Sequence, residues 1–135
     1  MTALNHTRIL IVEDERPVRM LLRVVLEAAG ATVLEAENGR QALRLLEVEP
    51  MGFDMVLTDL NMPEVDGEQL VQAIRAQWGD NTPIVMCTAM NIAVRSPMLL
   101  NLVQGVVTKP FSPPELVRAV AQAVAGHARE RRAAV

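Results

Sequence analysis

The sequence has a single cysteine, Cys87, and contains neither a signal-peptide pattern nor an apolar run of about 18 residues. One cysteine cannot form a disulfide within the chain, which argues against a disulfide-stabilised secreted domain. The lack of a long apolar run argues against a membrane-spanning segment. We therefore expect a cytoplasmic protein with no membrane partner.

Aromatic residues and lysines are also scarce. The chain has three aromatic residues and no tyrosine, which leaves few platforms on which nucleic-acid bases could stack. Its formal net charge is −3 and its isoelectric point is about 5.4, which disfavours a surface built to neutralise phosphates. We expect no nucleic-acid partner. There are 12 arginines but one lysine, Lys109, so the position of that lysine is informative.

Half of the 135 residues are hydrophobic, which is enough apolar side chain for one folded domain. Four continuous apolar runs lie at 8–12, 54–57, 83–87 and 105–107. Continuous rather than alternating hydrophobicity indicates strands that are buried on both faces, as in a parallel sheet. The more polar residues 31–38 alternate loosely and predict an edge strand.

Segments with a helical spacing of apolar residues separate these strands, at 17–29, 39–48, 67–78 and from Ser112 onward. The segment 91–105 has a proline inside it, and Ser96–Pro97 is typical of a cap and a first helical position. There we expect either a long loop with a short helix or a broken helix. The alternation of strands and helices predicts a doubly wound α/β domain.

Polar residues follow four of the predicted strands within two residues: Glu13 and Asp14, Asp59, Thr88 and Lys109. In open α/β sheets, functional sites form at this carboxyl edge. Three carboxylates close together repel one another unless a cation lies among them, and oxygen ligands suit Mg²⁺. A lysine ammonium suits a phosphoryl oxygen. The pattern predicts a site that combines Mg²⁺ with a phosphoryl group.

Each of these residues has an ordinary structural explanation when it is taken alone. An acidic pair after a strand is often a loop start or helix cap, and an aspartate before Asn61 and Pro63 is often a turn residue. A lone strand-end threonine, or a lysine before proline, is usually structural or on the surface. Their joint occurrence at four strand ends favours a functional site.

Four motifs resemble the receiver domain of two-component response regulators: ILIVEDE at 9–15, DMVLTDLNMPEVDG at 54–67, IVMCTA at 84–89 and VVTKPF at 106–111. The resemblance implies a flavodoxin-like fold whose five parallel strands have the order 2-1-3-4-5. It covers residues 7–126, which we expect to form the receiver domain. We expect 1–6 and 127–135 to be flexible termini, and no effector domain.

The resemblance also assigns the acceptor and the metal ligands. Asp59 matches the aspartate that accepts a phosphoryl group from a phosphohistidine. Glu13 and Asp14 match the acidic pair that holds Mg²⁺ together with Asp59, and the backbone carbonyl of Asn61 completes the protein ligands. The implied donor is a sensor histidine kinase or a histidine phosphotransfer protein.

The same resemblance assigns the switch residues. Thr88 and the backbone of Ala89 match the groups that move toward the phosphoryl group, and Lys109 matches the lysine that pairs with it. The Lys109–Pro110 bond matches a peptide bond that the family holds cis. Val106 departs from the family, which usually has a tyrosine or phenylalanine at this switch position.

These features predict a phosphoacceptor switch that is not an enzyme beyond its own phosphorylation and slow dephosphorylation. It would signal to an unknown downstream protein, with 91–126 as a candidate surface, and a homodimer is left open. The alternative is a docking or dimerisation module whose output is largely independent of phosphorylation. A Mg²⁺-dependent phosphohydrolase ranks last, since the motifs contain no second catalytic acid or base.

Overall fold

The computed structural model describes residues 3–60, 62, 65–89 and 97–133. Its five strands form one parallel sheet in the order β2-β1-β3-β4-β5, which confirms the predicted order. The strands are β1 Arg8–Val12, β2 Thr32–Ala36, β3 Met55–Thr58, β4 Ile84–Thr88 and β5 Gly105–Thr108. β2 is an edge strand, as its loose alternation predicted.

Among the described residues, four α-helices connect or follow the strands: α1 Arg16–Ala28, α2 Gly39–Val48, α3 Gly67–Trp78 and α4 Pro113–Ala133. Their starts follow local chemistry. The side chain of Asn38 caps α2, and Asp66 and Gln69 form a reciprocal capping box at the start of α3. Each helix begins within one or two residues of the predicted position.

The core has one layer on each face of the sheet. Along β1, Ile9 and Ile11 belong to one buried cluster, while Leu10 and Val12 belong to the other. Side chains alternate between the two faces of a strand, so a strand covered on both faces must be apolar throughout. This explains why the central strands have continuous apolar sequences.

The segment 97–101 forms a short 3-10 helix, Pro97–Asn101, and residues 90–96 lie outside the described residues. This helix begins at the proline that the sequence marked as a first helical position. Of its apolar residues, Leu99 is buried in the core while Met98 is 78% exposed. The guanidinium of Arg75 on α3 contacts the residues that follow this 3-10 helix. It donates to the carbonyl oxygen of Leu102 (2.9 Å) and to Gln104 Oε1 (2.7 Å).

Ordered contacts and helix extend into both segments that the sequence analysis assigned to the termini. Leu4 is buried in the core, and its backbone N–H donates to the carbonyl oxygen of Ala29 (2.8 Å). At the other end, α4 continues to Ala133, because residues 127–133 are rich in the strong helix formers alanine and arginine.

Within the described ranges, no helix combines the length and the apolar character needed to cross a bilayer.

Candidate functional site

The register of the sheet brings the predicted site residues together. Val12 and Thr58 are paired across β1 and β3, so the residues that follow them emerge side by side. The backbone N–H of Asp59 donates to the carbonyl oxygen of Val12 (3.1 Å). Thr88 is likewise paired with Thr108 on β5, and the N–H of Lys109 donates to the Thr88 carbonyl oxygen (3.0 Å).

Three carboxylates meet at this edge. One ligand oxygen from each of Glu13, Asp14 and Asp59 lies within 4.8 Å of the other two. Glu13 is almost fully buried, Asp59 is half-buried and Asp14 is exposed. A set made only of carboxylate oxygens, open to solvent on one side, fits a hard cation such as Mg²⁺ that keeps part of its water shell. The cluster therefore agrees with the predicted cation site.

Lys109 lies against the same carboxylates. Its Nζ is 2.8 Å from Glu13 Oε1 and 3.3 Å from Asp59 Oδ2. One ammonium facing three carboxylates leaves an excess of negative charge in the metal-free cluster. This excess gives the site its attraction for a divalent cation.

For both Lys109 and Glu13, burial and ion pairing shift the pKa in opposite directions. Burial raises the pKa of Glu13, although the hydrogen bond from Lys109 acts in the opposite direction. Burial lowers the pKa of Lys109, but the hydrogen bond to Glu13 and the negative charge of Asp59 outweigh it, so the pKa is raised. Lys109 is therefore cationic at neutral pH.

The side chain of Asp59 is held at both carboxylate oxygens. Oδ1 accepts a hydrogen bond from the backbone N–H of Leu60 (2.6 Å), and Oδ2 faces Lys109. The Thr58 hydroxyl donates to the backbone carbonyl of Asp59 (3.0 Å). These contacts orient the Asp59 carboxylate toward the other two carboxylates of the cluster without enclosing it.

Gly67 supports Asp59 from the start of α3, a role that the sequence analysis did not assign. A Cβ at this position would lie 2.1 Å from the carbonyl oxygen of Asp59. The N–H of Gly67 also donates to the carbonyl oxygen of Leu60 (2.9 Å). The available signal was the glycine that follows the capping residue Asp66, eight residues after Asp59.

The remaining predicted residues lie around this cluster. Thr88 is buried at the end of β4, and Ala89 follows it at the surface. The Lys109–Pro110 peptide bond is cis. Val106 is half-buried and packs against one of the core clusters. Asn61, whose carbonyl the resemblance names as a metal ligand, lies outside the described residues.

Cys87 adds no reactive group to the site. It precedes Thr88 on β4 and is buried in the core. Burial raises the pKa of its thiol to about 12, so the thiol is protonated at neutral pH and is a poor nucleophile.

The fold and the acidic edge together place the protein among the flavodoxin-like α/β domains. The family model of the response regulator receiver domain matches residues 9–121. The chain belongs to this family, whose members are signalling switches of two-component systems.

Curated relatives differ in how much of their length this chain covers. It is 39% identical over 125 residues to the transcriptional regulatory protein ResD of Bacillus subtilis, covering 87% of this chain but 48% of ResD. It is 37% identical over 124 residues to an uncharacterized 14.6 kDa protein of Leptolyngbya boryana, covering 90% of this chain and 93% of that protein. The chain thus spans about half of the first relative and nearly all of the second.

A solved structure supports the same family. The response regulator TrrA of Thermotoga maritima, in complex with Mg(2+)-BeF, is 33% identical and superposes with a TM-score of 0.73. The match covers 84% of this chain and 96% of that one.

Proposed function

We propose that this protein is a cytoplasmic phosphoacceptor switch of a two-component or phosphorelay pathway. Asp59 takes a phosphoryl group from a phosphohistidine on a sensor histidine kinase or a histidine phosphotransfer protein. One observation carries the proposal: the carboxylates of Glu13, Asp14 and Asp59 converge within 4.8 Å, and the ammonium of Lys109 contacts two of them.

The carboxylates of Glu13, Asp14 and Asp59 would hold Mg²⁺, with the backbone carbonyl of Asn61 as a further ligand. When bound, Mg²⁺ supplies positive charge that neutralises the phosphoryl oxygens. The TrrA structure in complex with Mg(2+)-BeF shows that a related chain holds this ion. The excess negative charge of the cluster in this chain supports the same assignment.

The transfer step exchanges one bond to phosphorus for another. A carboxylate oxygen of Asp59 forms the new O–P bond while the N–P bond of the phosphohistidine breaks, and that electron pair goes to the imidazole nitrogen. Lys109 pairs with a phosphoryl oxygen throughout, since its raised pKa keeps it charged. The chain's contribution is mostly positioning and electrostatic stabilisation.

Phosphorylation adds negative charge and new acceptor oxygens beside the end of β4. The hydroxyl of Thr88 and the backbone of Ala89 are the groups that would turn toward them. Movement there would bias a two-state surface that a downstream protein recognises. Because Val106 is aliphatic, this response proceeds without the inward movement of an aromatic ring.

Intact-mass spectrometry after incubation with Mg²⁺ and acetyl phosphate tests the proposal. We expect wild-type protein to gain one phosphoryl mass and Asp59→Asn to gain none. Asp54→Asn is the matched control, because Asp54 lies just before β3, at the opposite end of the strand, where its carboxylate accepts from the N–H of Arg8. Wild-type protein that binds Mg²⁺ but gains no mass, or an Asp59→Asn variant that gains it, would contradict the proposal.

A second candidate function is a docking module whose output is independent of phosphorylation. The observation that favours it is the apolar surface of the 3-10 helix, where Met98 and Leu100 are exposed. The Asp59→Asn variant separates the two functions, because a docking module would bind its downstream protein equally well with and without a phosphorylatable aspartate.

A further inference from the structure

Arg19 of α1 is a buried arginine beside the acidic cluster. Its side chain is only 10% exposed, whereas arginine is seldom so buried without partners. Nη1 donates to the backbone carbonyl oxygen of Glu13 (2.8 Å), and Nε donates to Glu35 Oε1 (2.9 Å). Nη2 lies 3.8 Å from the exposed carboxylate of Glu37. The guanidinium thus joins α1, β2 and the loop that carries the cation ligands.

The peptide that Arg19 contacts is the one that joins Glu13 to Asp14. β1 ends at Val12, and the N–H of Glu13 still donates to the carbonyl oxygen of Ala36 on β2 (3.1 Å). The carbonyl of Glu13 accepts from Arg19 instead. A buried carbonyl needs a donor, and the direction of this one sets the path of the backbone from Glu13 into Asp14.

The positive charge of Arg19 disfavours cation binding, whereas its hydrogen bond to the Glu13 carbonyl favours it by orienting the peptide between two ligands. A guanidinium near the cluster repels Mg²⁺, although the carboxylates of Glu35 and Glu37 offset part of its charge. Electrostatics alone would therefore make removal of Arg19 neutral or favourable for Mg²⁺ affinity. A loss of affinity on removal can come only from displacement of the Glu13–Asp14 peptide. The two effects have opposite signs and are separable by experiment.

We propose that Arg19 is a positioning residue for the cation site: by holding the carbonyl between Glu13 and Asp14, it sets where these two carboxylates lie. The inference rests on the proposed function, since it concerns the same site. Arginine suits the task because its planar fork bonds the carbonyl and Glu35 at once, which a lysine ammonium on a flexible stem does less well.

Arg23 provides a matched control on the same helix. Its guanidinium also bonds the carboxylate of Glu35, and it donates to the backbone carbonyl of Val33 (3.2 Å) rather than to that of Glu13. Arg19→Met and Arg23→Met each remove one positive charge that pairs with Glu35. They differ in the contact with the Glu13–Asp14 peptide.

Isothermal titration of the metal-free full chain with MgCl₂ tests the inference. We expect the Kd for Mg²⁺ to rise about tenfold to 100-fold in Arg19→Met, the usual effect of losing a group that orients metal ligands, and to stay near the wild-type value in Arg23→Met. In NMR spectra of ¹⁵N-labelled protein without metal, we expect the backbone amide resonance of Asp14 to change its chemical shift in Arg19→Met and to keep it in Arg23→Met. This amide belongs to the peptide that Arg19 contacts.

Equal Mg²⁺ affinity in the two variants would overturn the inference while leaving the proposed function intact. Wild-type protein that fails to bind Mg²⁺ would instead overturn the proposed function, and the inference with it. If far-UV circular dichroism shows that Arg19→Met does not fold, Arg19→Lys replaces it. That variant keeps the charge and loses the fork, so we expect weaker Mg²⁺ binding, and wild-type affinity would overturn the inference.

Discussion

The chemistry of the site depends on single residues that carry charge in a partly buried place. Lys109 is the only lysine in the chain, and it pairs with a glutamate whose carboxylate is 1% exposed. Removing one partner of such a pair leaves an uncompensated charge, which costs more than the pair itself contributes. The metal-free protein therefore depends on Lys109 for stability.

Lys109→Met should destabilise the metal-free protein by about 2–4 kcal/mol at pH 7.5, and by less at pH 5. Burial raises the folded pKa of Glu13 above its unfolded value, so the folded state is the one that holds this proton more tightly. Stability therefore falls as pH rises from the unfolded pKa through the folded pKa, and loss of Lys109 enlarges that fall. Urea denaturation of wild type and Lys109→Met at pH 5 and pH 7.5 measures the difference in their free energies of unfolding.

The control for this experiment is Arg118→Met, which removes a positive charge from an exposed position on α4. We expect it to change the free energy of unfolding by no more than about 0.5 kcal/mol. If Lys109→Met destabilises the protein equally at pH 5 and pH 7.5, protonation of Glu13 does not reduce the cost of losing Lys109, which contradicts the prediction.

At the scale of elements, the start of α3 determines how closely the helix approaches Asp59. Gly67 brings α3 against the backbone of Asp59, where there is no room for a side chain. The contact joins the helix to the backbone carbonyl of Asp59, so the placement of this residue depends on packing as well as on strand register.

Gly67→Ala should destabilise the protein by about 1–3 kcal/mol, because the added methyl group forces the backbone apart. It should also slow phosphorylation by acetyl phosphate, since Asp59 shifts with its carbonyl. Gly126→Ala is the matched control in a helix interior: a Cβ there meets open space, so we expect stabilisation by about 0.5–1 kcal/mol. Equal effects of the two substitutions on urea denaturation would refute the steric argument.

At the scale of the whole molecule, binding of the proposed cation at the acidic cluster would be coupled to the stability of the fold. β1 and β3 are each followed directly by a carboxylate of this cluster, and the repulsion between these carboxylates opposes the native sheet when no cation is present. A cation that binds only the folded state shifts the unfolding equilibrium by mass action.

Addition of MgCl₂ should therefore raise the Tm of wild-type protein. At ten times the Kd, the stabilisation is about 1.4 kcal/mol, or about 5 °C for a domain of this size. Differential scanning calorimetry in EDTA, in MgCl₂ and in NaCl of matched ionic strength measures it. A rise of the same size in NaCl would indicate general screening rather than binding at Glu13, Asp14 and Asp59.

The predictable parts of the site are those tied to strand ends. Glu13, Asp59 and Lys109 could be identified because each follows an apolar run by one or two residues, and parallel strands end at a common edge. Arg19 could not be identified in this way. It is one of 12 arginines, it lies within a helix, and its partner at the site is a backbone carbonyl with no sequence signature.

The sequence by itself determined the parallel sheet, the helix starts and the set of strand-end residues, because these follow from local periodicity, capping and the two-sided burial of strands. Only the tertiary structure decided that Leu4 is buried in the core, that Met98 faces solvent while Leu99 does not, and that Arg19 and Gly67 contact the backbone of Glu13 and Asp59. These outcomes depend on contacts between segments distant in sequence or on the direction of side chains around a short helix, which local patterns do not encode.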